Sequence, residues 1–178
     1  MYKGDNMADT LAVAKFLNDL NVQTYGENMN QMKMHKLMYF SQRESLMKSN
    51  NPLFDELFEA WEYGPVLVSV KNEYLTKHMF SENYTPLIDT EKELVNSVFK
   101  RYDSYNLWSL STLCYAEYSW QKAREGLKYN EFGNKHMDLS AMKIDGSREL
   151  LRRKGVILLS MPVIYNEEDK YTEMEKDL

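Results

Sequence analysis

The chain has 178 residues, 43% hydrophobic and 28% charged, with a formal net charge of −5. That is long enough to bury a sizeable core as one domain, in the ordinary composition of a soluble globular protein. The acidic balance, without a basic stripe, argues against a nucleic-acid binder, and no run of about 18 apolar residues exists to cross a membrane. A single cysteine, Cys114, excludes an internal disulfide framework and reads as a small buried hydrophobe. Residues 1–10 are polar and lack a signal-peptide apolar run, so a cytoplasmic protein is expected. The acidity suits solubility, or a preference for basic partners.

In chain order, residues 1–8 read as a loose terminus. Asp9 or Thr10 can cap a helix through about residue 20, with Leu11, Ala14 and Leu17 on one side and Val13, Phe16 and Leu20 broadening it. Residues 21–30, with Gly26 and several Asn, read as a loop. A second helix is expected over about 30–48. Met34, Leu37, Met38, Ser41 and Ser45 align along it, while Met32, Tyr39, Phe40 and Met47 lie off that line. A helix apolar on more than one face packs against several neighbours, so this one is expected to be central. Pro52 ends it by disfavouring helix in the residue before it. Residues 53–63 should then be irregular or extended.

The run Glu59, Ala60, Trp61, Glu62, Tyr63, Gly64, Pro65, Val66 follows. Gly64 can take backbone angles closed to other residues and Pro65 fixes its own φ, so a sharp turn is expected at that pair. Trp61 and Tyr63 alternate, as on one face of an extended segment. Two readings stand: a structural corner with its aromatics in the core, or a partly exposed binding platform.

A third helix is expected over 68–78, with Val70 and Tyr74 inward, and a loop over 81–88. Thr90 and Glu93 have the spacing of a capping box before the cleanest stripe in the chain: Leu94, Val95, Val98, Phe99 and Tyr102. Asn106 can cap a helix with Leu107, Leu110, Cys114 and Tyr118 on one face, and Ser119 can cap a short one through Arg124. Residues 129–136 read as a loop, and 139–154 as a helix interrupted at Gly146. Residues 156–159 are a short strand candidate whose partner would be 57–63 or 163–165. Residues 167–178 hold six acidic residues and two lysines and read as a solvated tail, with solubility or contact with a basic partner as its role. The fold expected is mainly α, a compact helical domain of six to seven helices with a small β element over 9–165, flanked by 1–8 and an acidic tail over 166–178.

Chemical motifs are scarce. His35, His78 and His136 sit in separate segments without metal-ligand spacing, so no metal is expected. The seven glycines form no phosphate loop, and no nucleophile elbow is present. The one acid/base constellation to weigh is Glu59 and Glu62 with His35, and it would require a deep pocket and shifted pKa values. No catalytic residue and no cofactor is assigned.

One set of motifs points further. Lys33, Met34, His35, Lys36, Leu37, Met38, Tyr39, Phe40; then Asn51, Pro52, Leu53, Phe54; then the run 59–66; then Leu110, Ser111; then Trp120, Gln121, Lys122, Ala123, Arg124. In order and spacing this set resembles the Panacea antitoxin domain, also described as SocA-like or GepA-like and phage-associated, over most of 9–125. The resemblance implies a mainly helical domain that works by binding proteins. Members include antitoxins that neutralise a neighbouring toxin and an adaptor that delivers a toxin to a protease. The chain departs from the family pattern where a His usually stands five residues before the Trp, here Tyr115, and where a Pro often precedes the Trp, here Ser119. A Tyr keeps a hydrogen bond there but does not titrate near neutral pH.

The expected function is therefore an antitoxin that neutralises a cognate toxin by direct binding, and not an enzyme. The alternatives are a proteolytic adaptor, or a phage or prophage accessory protein that binds a host factor. The expected partner is a protein, a toxin encoded nearby or a protease, with no membrane or nucleic-acid role. Aromatics and Arg dominate binding hot spots. The candidate contact residues are accordingly Tyr39, Trp61, Tyr63, Val66, Trp120 and Arg124.

Overall fold

The computed structural model describes residues 7–156. Among them run α1 (Thr10–Tyr25), α2 (Gln31–Ser49), β1 (Glu59–Trp61), β2 (Gly64–Val66), α3 (Val68–Thr76), α4 (Asp89–Tyr102), α5 (Leu107–Tyr115), α6 (Tyr118–Ala123) and α7 (Leu139–Arg153). This is the mainly α fold with a small β element that the periodicity predicts. α2 is its axis: α1, α3, α4, α5, α7 and β2 all pack on it. Met34 to Leu46 are buried without a break, polar residues included. Most of those polar groups find partners, as burial requires; His35 Nε2 and Arg43 Nε have none. The Gln42 amide donates to Phe54 O at 2.9 Å and accepts from Leu53 N at 2.7 Å, clamping the following loop. Ser41 and Ser45 donate to Leu37 O and Asn51 O.

Several ends differ from the sequence reading. Asp9 caps α1, but the helix runs on to Tyr25 and stops at Gly26, whose φ is 75°. Asn21, read as loop, stays helical because its side-chain amide meets Glu27 O at 2.8 Å. Ala8, read as loose terminus, is buried and its N–H bonds Leu53 O at 2.9 Å. α4 starts at Asp89, and its N-terminus is closed one way, by Glu91 accepting from Ile88 N at 2.9 Å, not by the Thr90 and Glu93 pair. α6 starts one residue before Ser119. Its first N–H groups, of Tyr118 and Ser119, donate to the Asp145 carboxylate of α7 at 2.7 and 3.0 Å.

α7 is not broken at Gly146. A Cβ there would stand 3.0 Å from Met47 N and 3.4 Å from Arg43 O, so the glycine allows α7 to lie close against α2. In the hairpin, Glu59 pairs with Val66, Ala60 with Pro65 and Trp61 with Gly64. The turn residues are Glu62 and Tyr63, while Gly64 and Pro65 open the return strand. The other edge of β1 is taken by residues 135–137, through Ala60 N to Lys135 O at 2.9 Å and Met137 N to Phe58 O at 2.8 Å. Both edges of β1 are thus occupied. Past Val156, the expected strand over 156–159 lies outside the described residues, as does the acidic tail.

Between α2, α6 and α7 lies a buried ionic cluster. Arg43, Glu117, Asp145 and Glu149 are all buried. Arg43 donates to Glu117 and, at 2.8 Å, to the Tyr102 hydroxyl, and it lies 3.7 Å from Glu149. The Tyr39 hydroxyl donates to Asp145 at 2.9 Å, with Glu117 at 3.3 Å and Ser119 Oγ at 3.2 Å. Arg153 forks onto Glu44 at 3.0 and 2.7 Å and reaches Glu149 at 2.7 Å. Buried charges are costly unless paired, and these pairs join α7 to α2 and to the start of α6.

Burial pushes the Glu117 carboxyl up to about 7; Asp145 adds to the rise, while Arg43 and Arg152 oppose it. The folded state therefore holds this proton more tightly than the unfolded chain does. The stability it contributes is complete below the ordinary value of 4.5 and is lost as the pH climbs to about 7. Urea titrations across that range should show the decline, and Glu117→Gln, neutral throughout, should remove that component of the slope. A slope unchanged in the variant would assign it to other groups.

Candidate functional site

The hairpin carries the exposed aromatic face. Tyr63, at its tip, is 60% exposed. Trp61, half-buried, donates its indole N–H to Glu59 at 2.7 Å, meets the Phe132 ring edge-on at 5.5 Å and has Lys71 Nζ 4.6 Å over its ring. Phe132 is itself 61% exposed. Val66 lies half-buried on β2. The Glu56 carboxylate accepts from Ser69 N at 3.0 Å and from its hydroxyl, which ties the preceding segment to the start of α3. Leu57 and Val68, beside those two residues, are exposed.

Of the six candidate contact residues, only Trp61, Tyr63 and Val66 reach this face. Tyr39, Trp120 and Arg124 are inside the fold. Trp120 is fully buried, donates its indole N–H to Trp61 O at 2.9 Å and packs on Tyr115 at 4.9 Å. Arg124 lies over the Trp120 ring at 5.2 Å. Its guanidinium donates to Ala60 O at 3.1 Å, Lys128 O at 3.0 Å, Tyr129 O at 3.1 Å and Glu131 O at 2.5 Å. The closing motif therefore holds the hairpin and the 128–131 loop from behind. Its residue types are those of a hot spot, but the Trp120 indole N–H and the terminal amino groups of Arg124 are spent on backbone carbonyls. Tyr115 packs between Trp120 and Tyr129.

The acid/base set is not free to act. His35 is buried, and its Nδ1 accepts from Leu67 N at 3.3 Å. Burial, with Lys36 and Lys71 adding to it, pushes its pKa down to about 3, so it is neutral. Glu59 is engaged by Trp61 and stands 3.9 Å from His136. Burial pushes the Cys114 thiol up to about 12, which leaves it unreactive. Among the described residues no group of three or more His, Cys, Asp or Glu could hold a metal ion. None of their helices is long and apolar enough to cross a membrane.

Two residues of the face escaped the sequence reading. Phe132 is a lone aromatic in a polar loop, and that isolation was its one signal. Lys71 sits on a short helix where a lysine is unremarkable. Lys36 was read only as part of a motif, yet it is buried beneath the hairpin, where its ammonium donates to Tyr63 O. Gly64 has a φ of 110°, which favours glycine there, and a Cβ would also displace the Lys36 ammonium.

Residues 34–121 match the family model described as antitoxin SocA-like, Panacea domain. The match runs from α2 through the hairpin into α6 and so contains the hairpin side of the exposed face. No curated protein and no solved structure matches the chain.

Proposed function

This chain belongs to the SocA-like Panacea family of antitoxin domains, and from that premise we propose that it neutralises a cognate toxin by direct protein–protein binding. The family match over residues 34–121 carries this reading. The hairpin supports it by presenting Tyr63 and the edge of Trp61 on a rigid base, and pre-organised aromatics are favoured anchors. Neutralisation by binding needs affinity and steric cover, not a reacting group. A neutral, buried His35 and an unreactive Cys114 accord with that role. On this reading the protein acts in the cytoplasm, where it meets the toxin as it is made.

Co-expression with each adjacent gene tests the proposal. One neighbour is expected to arrest growth alone, to be tolerated with this chain present, and to co-purify with it. If no neighbour is toxic and none associates, the antitoxin reading fails. Within the complex, Tyr63→Ala should weaken binding at least about tenfold, the scale of a 1.4 kcal/mol contact. Its thermal midpoint should stay near that of the parent, because the removed ring is mostly solvated. Calorimetric titration of both proteins checks the two parts together.

A further inference from the structure

The connection from α3 to α4, residues 77–88, forms no helix or strand. It is held down at two points. Phe80 is 2% exposed and Leu87 is buried, whereas Ser81, Glu82, Asn83, Thr85 and Pro86 between them are exposed. Its entry is strained. Lys77, Met79 and Phe80 have φ of 60°, 47° and 63°, all left-handed and none of them glycine. Among the described residues the one other such residue is Asn50, of a type that tolerates those angles. A lysine, a methionine and a phenylalanine resist them, because Cβ crowds the backbone there. Strain of this kind persists only where the surroundings hold it. Here the hold is Phe80. Its ring meets Tyr74 edge-on at 5.8 Å, and its N–H donates to the buried Glu73 carboxylate at 2.7 Å. Farther along, the Tyr84 hydroxyl is buried without a hydrogen-bond partner. The closed segment thus works against its own backbone and leaves a polar group unsatisfied.

We propose that residues 77–88 are a strap poised to open: Phe80 leaves its seat, the left-handed entry relaxes, and the segment detaches while the helices stay folded. The inference does not rest on the antitoxin reading. Lys77 closes α3 about 9 Å along the helix from Lys71, whose ammonium stands over the Trp61 ring. Opening frees the last turn of α3, which carries the exposed Leu75, and uncovers the Tyr74 ring. The state of the strap therefore reaches the helix that borders the hairpin.

Amide hydrogen exchange of the full chain, followed residue by residue by nuclear magnetic resonance, tests this. The Phe80 amide is expected to exchange at least about a hundredfold faster than those of Leu37 and Met38 in α2. Its rate should rise little with urea, because a local opening exposes little surface. Lys77→Gly and Met79→Gly should each slow it at least about threefold, since glycine takes left-handed angles freely and the closed strap loses its strain. Ser81→Gly, outside the left-handed region, should speed it, since glycine there only adds freedom to the open strap. The opposite signs separate strain from a general effect of glycine. Protection of Phe80 equal to that of α2 would overturn the inference, because the segment would then open only with the whole fold. Lys77→Gly and Met79→Gly that leave the exchange unchanged, or speed it as Ser81→Gly does, would overturn it too.

Discussion

Replacing Arg43 by Met is expected to cost about 3–5 kcal/mol of folding stability, the range for removing one partner of a buried ion pair. Arg43 is 2% exposed, and its guanidinium serves Glu117, Tyr102 and, at longer range, Glu149. It also covers the Phe40 ring at 4.8 Å. Methionine fills much of the aliphatic volume, so cavity formation is the smaller part of the loss. The larger part is Glu117 left buried without its cation, since Glu149 keeps Arg152 and Arg153. Set against a total of about 5–15 kcal/mol, the variant is marginal at growth temperature. Urea denaturation should show a lower midpoint with an unchanged slope. Adding Glu117→Gln should recover part of the loss, since one orphaned carboxylate disappears; strictly additive losses would mean that pairing is not the cause. The exposed Lys15–Asp19 pair on α1, at 2.8 Å, offers the contrast: it contributes under about 1 kcal/mol because solvent screens it.

How far the sequence reveals this molecule depends on the distance over which a residue's partner lies. Local signals read well. Asp9 and Asn106 cap the helices that follow them, and the stripe Val95, Val98, Phe99 and Tyr102 faces inward. Partners supplied from afar do not read. Asp145 meets Tyr39 across 106 positions and also caps α6, where a local Ser119 cap was the natural expectation. Gly146 carries two properties, backbone freedom and absence of a side chain. Periodicity points to the first, a break, whereas the close crossing of α2 uses the second. Trp61 and Trp120 are alike in sequence and differ in fate, because one lies on the hairpin's outer side and the other lies behind it. Family motifs do not make that distinction, since a residue kept for packing and one kept for contact are both kept.

Trp120→Ala should therefore act on the fold first and on any partner second. A buried Trp truncated to Ala costs about 3–5 kcal/mol. Here the change also removes the donor to Trp61 O and the surface against which Tyr115 and Arg124 pack. The hairpin loses its backing, and Trp61 and Tyr63 lose the fixed geometry that makes them useful anchors. Partner binding then falls with folded population, whereas Tyr63→Ala lowers binding in a chain that stays folded. Trp120→Phe separates the two routes. It keeps most of the ring, forgoes one hydrogen bond at about 1–3 kcal/mol, and should remain folded at low temperature. Under those conditions its complex with the toxin should match the parent's affinity. A folded Trp120→Phe chain that has lost its partner would place Trp120 in the interface after all, through an opening of the hairpin on binding. Far-ultraviolet circular dichroism and calorimetric titration on the same samples distinguish the outcomes.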